Sequence, residues 1–227
     1  MFPIRDHNPS HKFPIINIIV ILVTSYVFFL QITAPDFEEF ILRFALIPRL
    51  VDFTDPVSLL PFIYSIFLHG GWFHVISNLW FLWIFGDNIE AHFGHIGYAF
   101  FYLATGIIAG LTQFFFVPNS AIPTVGASGA ISGVLGAYLV LYPKHKIDTL
   151  IISFFGFFQQ VSLPAGVMLG YWFIIQLFSG IGTIGLMGRG GVAWWAHIGG
   201  FAAGYLFVVL SGKNNRISRK EDESDFF

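Results

Sequence analysis

Hydrophobic positions along this chain fall in long runs, separated by short polar or proline-bearing turns. Six runs stand out: Phe13–Ile32, Phe73–Ala91, Tyr98–Phe116, Ser128–Tyr142, Leu163–Phe178 and Trp194–Leu210. About 20 apolar residues at 1.5 Å per residue span the hydrocarbon core of a bilayer, so the runs predict membrane-crossing helices. The fourth is short, roughly 22 Å at that rise. Its first residue, Ser128, is therefore expected below the membrane surface, in a depression that water enters. The first run is too long for a signal-peptide core, and no small-residue cleavage site follows it.

The connections vary in character. Residues 35–72 form the longest. Phe37 to Phe44 mixes apolar and charged residues at near-helical spacing, and Val57 to Leu68 is apolar but broken by Pro61. Both read as segments lying in the membrane interface. The phenylalanine-rich stretch Thr149–Val161 reads as partly interfacial. Gly180 to Gly191 holds six glycines and is expected to be mobile. The pattern predicts an all-α, six-helix membrane bundle forming one domain over residues 13–211. Polar tails, 1–12 and 212–227, flank it.

Composition supports this class. Only 11% of the 227 residues are charged and 56% are hydrophobic, whereas soluble domains carry about 25% charged residues. With no cysteine, disulfides, thiolate metal sites and a cysteine nucleophile are excluded. A net charge of -2 without a basic surface argues against nucleic acid as a partner. Six spans put both termini on one side. If that side is cytoplasmic, the inner segments hold eight basic residues: Arg5, Lys12, Lys144, Lys146 and four in the C-terminal tail. The outer loops hold Arg43, Arg49 and Arg189 only. The positive-inside rule therefore predicts cytoplasmic termini.

That topology gathers the polar residues of the spans. Runs two, four and six all enter the membrane from outside. His74 and Asn78 lie in the first turns of run two, Ser128 begins run four, and His197 lies in the first turn of run six. His74 and Asn78 are four apart and share a helix face. Gly129 with Gly133, and Gly200 with Gly204, are spaced for close helix approach. Two such helices in contact bring the Ser128 hydroxyl within reach of the His197 imidazole. Serine is a weak nucleophile that needs an adjacent base, and histidine titrates near neutrality. The Ser128 amide at a helix N-terminus, the Asn78 amide and the His74 ring N–H are candidate donors to an oxyanion. Runs four and six contain no Asp or Glu, so a Ser–His dyad is expected rather than a triad. Ser132, one turn deeper on nearly the same face, is the competing nucleophile.

Each of these features has a plainer reading. An intramembrane serine commonly bonds its own helix backbone. His74 and Asn78 alone could be interhelical bonding partners, worth about 0.6 kcal/mol, and the glycines alone mean packing. Convergence at one depth favours a functional site. A metal site built from His69, His74, His92 and His95 is disfavoured, because the last two fall at the opposite membrane face. No metal or cofactor is expected.

Three motifs together resemble the rhomboid family of intramembrane serine proteases. Gly126-Ala127-Ser128-Gly129 is similar to its GxSG, His74 to Asn78 to its HxxxN, and Ala196-His197-Ile198-Gly199-Gly200 through Gly204 to its AHxxGxxxG. The resemblance implies Ser128 as nucleophile, His197 as general base, and His74, Asn78 and the Ser128 amide as oxyanion hole. It also implies that Gly126 forms the presenting turn, while His69 matches a further family histidine. Single-span membrane proteins are the implied substrates, cleaved in or near the bilayer of a cell membrane on the extracytoplasmic side. Substrate entry is implied between spans two and five, with the Gly180–Gly191 loop as cap. A Trp-Arg pair found in the first external loop of some relatives is replaced here by Leu60-Pro61-Phe62. A non-catalytic relative that binds membrane helices is the alternative, although such relatives usually lack the serine or the histidine. The sequence does not fix the oligomeric state.

Overall fold

A computed structural model of the chain describes residues 1–8, 10, 12–152, 158–182 and 191–212. In order these form β1 (Phe2–Asp6), α1 (Ile15–Thr33), α2 (Phe37–Phe44), α3 (Pro56–Leu59), α4 (Pro61–Tyr64), α5 (Trp72–Phe93) and α6 (His95–Phe116). There follow α7 (Ser128–Leu141), β2 (Lys146–Ile152), β3 (Phe158–Pro164), α8 (Ala165–Gly182) and α9 (Trp194–Ser211). Each apolar run thus forms one helix. Among the described residues four helices are long and apolar enough to cross a membrane: α1, α6, α8 and α9. The 14-residue α7 is apolar but shorter, and the 22-residue α5 carries Asp87 and Glu90 near its end. Most of the expected cap loop (183–190), the centre of the phenylalanine-rich stretch (153–157) and the tail from 213 onward lie outside the described residues.

Helix α7 is the axis of the bundle. Its side chains from Gly129 to Tyr138 are buried in succession, so it has no solvent or lipid face along that length. Glycines make the crowding possible. A methyl at Gly133 would stand 2.5 Å from Thr105 Cβ of α6. On the other side, methyls at Gly200 and Gly204 of α9 would strike the carbonyl oxygens of Gly129 and Gly133. The two backbones are in contact, as small residues allow in membrane helices. Around this core many other large apolar side chains face outward. Phe73, Ile96 and Leu210 are 87%, 88% and 81% exposed, a surface suited to lipid rather than water.

The turn between α5 and α6 is the single residue Gly94, at φ 75°, a conformation that favours glycine. Beside it the buried Glu90 carboxylate accepts the backbone N–H groups of Ile16 (2.9 Å) and Asn17 (2.7 Å). It therefore caps the start of α1, where unpaired donors and the positive dipole end favour an anion. His95 Nδ1 lies 2.5 Å from the same carboxylate. The long connection after α1 is indeed helical in short pieces. Asp36 caps α2 by accepting from Glu39 N (3.0 Å), Asp55 caps α3, and Pro61 opens α4.

One departure from the all-α expectation is a three-stranded antiparallel sheet, ordered β1-β2-β3. It lies at the end of the bundle where α7 finishes. Residues 2–6, expected in a polar tail, pair with β2, and much of the supposed interfacial stretch after Thr149 forms strands. The N-terminal strand is pinned by side chains as well. Asp6 accepts from Tyr138 Oη (2.7 Å) and Asn88 Nδ2 (2.8 Å), and Trp80 Nε1 donates to the Pro3 carbonyl (2.8 Å). On β2, Asp148 accepts from Arg5 (3.2 Å) and pairs with His7 (2.9 Å), and Ser162 donates to it from β3.

Candidate active site

At the opposite end of α7, the loop before Ser128 is held from three directions. Thr124 pairs with Leu46, each N–H donating to the other's carbonyl (2.8 and 3.2 Å). Gly126 N donates to Ser65 O at 2.9 Å. Ala127 N approaches His69 Nε2 at 3.5 Å. His69 is itself fully buried, its backbone N–H and C=O bonded at 3.0 Å to the Gln31 side chain. Its Nδ1 lies 3.3 Å from the Phe67 carbonyl. Burial, with His74 beside it, pushes the His69 imidazole down to about 3. The ring is thus neutral, with Nδ1–H donating to Phe67 and Nε2 free to accept from Ala127. Its place in the structure is under the serine loop.

Gly126 has φ 124°, in the region that favours glycine. A Cβ there would also lie 2.7 Å from His74 Nε2 and 3.6 Å from Asn78 Nδ2. The residue is therefore glycine for two reasons, backbone conformation and the side chains that converge on it.

Ser128 opens α7, and its Oγ lies 2.8 Å from His197 Nε2 in the first turn of α9. The rings of Trp172 and Trp194 flank the imidazole, with centroids 5.9 and 6.2 Å away. Ser132 has a different environment. It is buried, and its hydroxyl donates to the Ser128 carbonyl at 2.6 Å, which is ordinary bonding to its own helix.

His74 and Asn78 stand on one face of α5. Gly70 N donates to His74 Nδ1 at 3.3 Å, so the ring proton resides on Nε2, the nitrogen beside Gly126. Asn78 is buried, and its Nδ2 has no hydrogen-bond partner among the described residues. An unpaired buried amide is costly unless a ligand satisfies it. A small cavity beside the serine loop is lined by Ser65, Thr124, Gly126, Ser128, Ala193 and Ala196. Such an arrangement offers a hydroxyl paired to a base, and two N–H donors converging beside Gly126.

The structure therefore brings together Ser128, His197, His74, Asn78 and Gly126. It puts Gly129 and Gly200 at the helix contact beside them, Gly204 one turn deeper, and His69 behind the loop. His92 and His95 lie at the far end of α5 and the start of α6. Sequence reasoning missed Gln176 of α8, whose Oε1 lies 2.7 Å from His197 Nδ1. The available signal was a lone amide within an otherwise apolar run. An amide is not an acidic partner, so the absence of Asp and Glu that points to a dyad does not reveal it.

A family model described as a rhomboid domain matches residues 57–214. Rhomboid-like protein 11, chloroplastic, of Arabidopsis thaliana is 42% identical over 73 residues, covering 32% of this chain and 26% of that protein. RHOMBOID-like protein 4 of the same plant is 32% identical over 145 residues, 63% of this chain and 32% of its own. Presenilin-associated rhomboid-like protein A, mitochondrial, of Danio rerio is 28% identical over 123 residues, 50% of this chain and 32% of its own. The chain thus spans no more than about a third of the length of these relatives.

Proposed function

The chain belongs to the rhomboid family, and from that premise we propose that it is an intramembrane serine endopeptidase acting through Ser128 and His197. The observation that carries the proposal is the 2.8 Å approach of Ser128 Oγ to His197 Nε2, made between two helices whose glycines hold them in contact. Six helices, α1 and α5 to α9, would cross the bilayer with both termini cytoplasmic. The site would then open to the extracytoplasmic side of a cell membrane. Transmembrane proteins with a single span are the substrates this reading assigns.

The chemistry follows from the groups present. His197 Nε2 takes the Ser128 hydroxyl proton as Oγ bonds to the scissile carbonyl carbon. Negative charge develops on the carbonyl oxygen, where His74 Nε2–H, Asn78 Nδ2–H and the Ser128 backbone N–H donate. The imidazolium then gives its proton to the departing amine, the C–N bond breaks, and an acyl-serine ester remains. Water, deprotonated by the same imidazole, hydrolyses the ester and restores the serine.

Labelling with a fluorophosphonate probe and cleavage of a single-span substrate test this together. Wild type should label and cleave, and Ser128→Ala and His197→Ala should do neither while remaining folded. Cleavage by folded Ser128→Ala protein refutes the assignment. A folded wild type that binds transmembrane peptides but neither labels nor cleaves would favour a helix-binding role instead.

A further inference from the structure

Imidazole has two nitrogens and, when neutral, one ring proton. Which nitrogen holds it decides whether His197 can act as a base toward Ser128. The groups beyond the Ser–His pair therefore matter as much as the pair itself.

Gln176 occupies the position that decides this. It is one of the few buried residues of α8, only 5% exposed. Its Nε2 lies 3.4 Å from the Trp172 carbonyl one turn earlier in the same helix. A carbonyl accepts and does not donate, so the amide must turn its N–H end there. Its oxygen then faces His197 Nδ1 at 2.7 Å. An oxygen at that distance is satisfied only by a donor, which places the ring proton on Nδ1. Nε2 is left with its lone pair directed at the Ser128 hydroxyl, 2.8 Å away.

We propose that Gln176 is a positioning residue that holds His197 in the Nδ1–H tautomer and in register with Ser128. The proposal rests on reading Ser128 and His197 as the reacting pair. It extends the dyad to a neutral relay of three side chains drawn from α7, α9 and α8. An amide suits this place better than a carboxylate. None of the three helices contains Asp or Glu, and a buried carboxylate would carry a large desolvation cost. A neutral acceptor still selects the tautomer. In other serine hydrolases an acidic residue orients the histidine in the same way, and its loss leaves the wrong tautomer. A structural role alone, filling the space between α8 and α9, would be met equally by leucine or methionine.

The experiment uses full-length protein with nitrogen-15-labelled histidine, and His197→Ala to assign the resonance. In wild type, His197 should show a protonated Nδ1 and an unprotonated Nε2. In Gln176→Leu, a substantial Nε2–H population should appear. With a transmembrane substrate, kcat of Gln176→Leu should fall about 10- to 100-fold, with KM within about twofold. Gln176→Met should behave alike and stands in if the leucine variant does not fold. A protonated Nε2 in wild type, an unchanged tautomer in the folded variants, or unchanged kcat overturns the proposal. The wild-type tautomer is read without substrate. It therefore remains decisive even if cleavage proves independent of Ser128, a result that would refute the protease reading and leave this measurement standing.

Discussion

The Cα of Gly200 lies against the carbonyl oxygen of Gly129, so closely that a methyl group at position 200 would overlap it. Gly129 follows Ser128, and Gly200 is one turn beyond His197. The contact therefore sets the spacing of the proposed reacting pair. A backbone carbonyl cannot rotate away as a flexible side chain can. Gly200→Ala should push α9 from α7, at a cost of about 1–3 kcal/mol in stability, and should lower the labelling rate at least tenfold. Gly170→Ala is the matched control, because a methyl there meets nothing within 4 Å. Its melting temperature and labelling rate should both stay near wild type. Equal behaviour of the two variants would mean that the glycine contact does not set the site.

Asn78 tests the proposed oxyanion hole. Its Nδ2 is buried without a partner among the described residues, so its donor is available for charge that develops only during reaction. Removing such a donor in other enzymes costs about 10²- to 10³-fold in kcat. Asn78→Ala should show a loss of that order with KM little changed. Its stability should not fall, because the substitution also removes an unsatisfied polar group. A rise in KM at unchanged kcat would instead assign Asn78 to substrate binding.

How much of this was legible beforehand differs by element. The helices were readable because each is a long apolar run, and an error of a few residues at an end leaves the run intact. His74, Asn78, Ser128 and His197 were readable because a polar side chain in such a run is conspicuous and the expected topology puts all four at one depth. The sheet was not. β1 is five residues long and pairs with a strand more than 140 positions later, a contact that no local pattern announces. Pro3 and the charges at Arg5 and Asp6 made the segment resemble a tail. Gln176 was hidden for another reason. Its proposed role depends on which nitrogen of the His197 imidazole it meets, and that is a matter of geometry alone.

Glu90 belongs to α5, and its carboxylate is the cap of another helix. Glu90→Ala should strip acceptors from Ile16 N and Asn17 N at once, leaving donors at the start of α1 without their partner. Unsatisfied buried groups cost about 1–3 kcal/mol, so melting in detergent should drop by several degrees. Glu90→Gln keeps one acceptor oxygen and should fall between the alanine variant and wild type. The site lies at the other end of the bundle, so the labelling rate of folded protein at low temperature should be unchanged in both. Melting of Glu90→Ala at the wild-type temperature would show that the cap contributes nothing to the hold on α1.

The two carboxylates of the sheet should respond to acid in opposite directions. Bonds from Ser162, His7 and Arg5 hold the Asp148 carboxyl down at about 2, below its ordinary 3.8. A depressed carboxylate contributes stability that is fully present above the ordinary value and is lost as pH falls through the lowered one. Burial pushes the Asp6 carboxyl up, against hydrogen bonds from Tyr138 and Asn8. Its charge therefore opposes folding near neutrality, and that opposition is relieved as pH falls toward 4. Melting temperatures of wild type, Asp148→Asn and Asp6→Asn between pH 7 and pH 2 separate the two. The gap between wild type and Asp148→Asn should be constant from pH 7 to about 5 and close between about 4 and 2. Asp6→Asn should lose part of the gain that wild type shows on mild acidification, while keeping the steep loss below pH 4. Parallel curves for wild type and Asp148→Asn down to pH 2 would mean that its contacts with Ser162, His7 and Arg5 do not hold the sheet together.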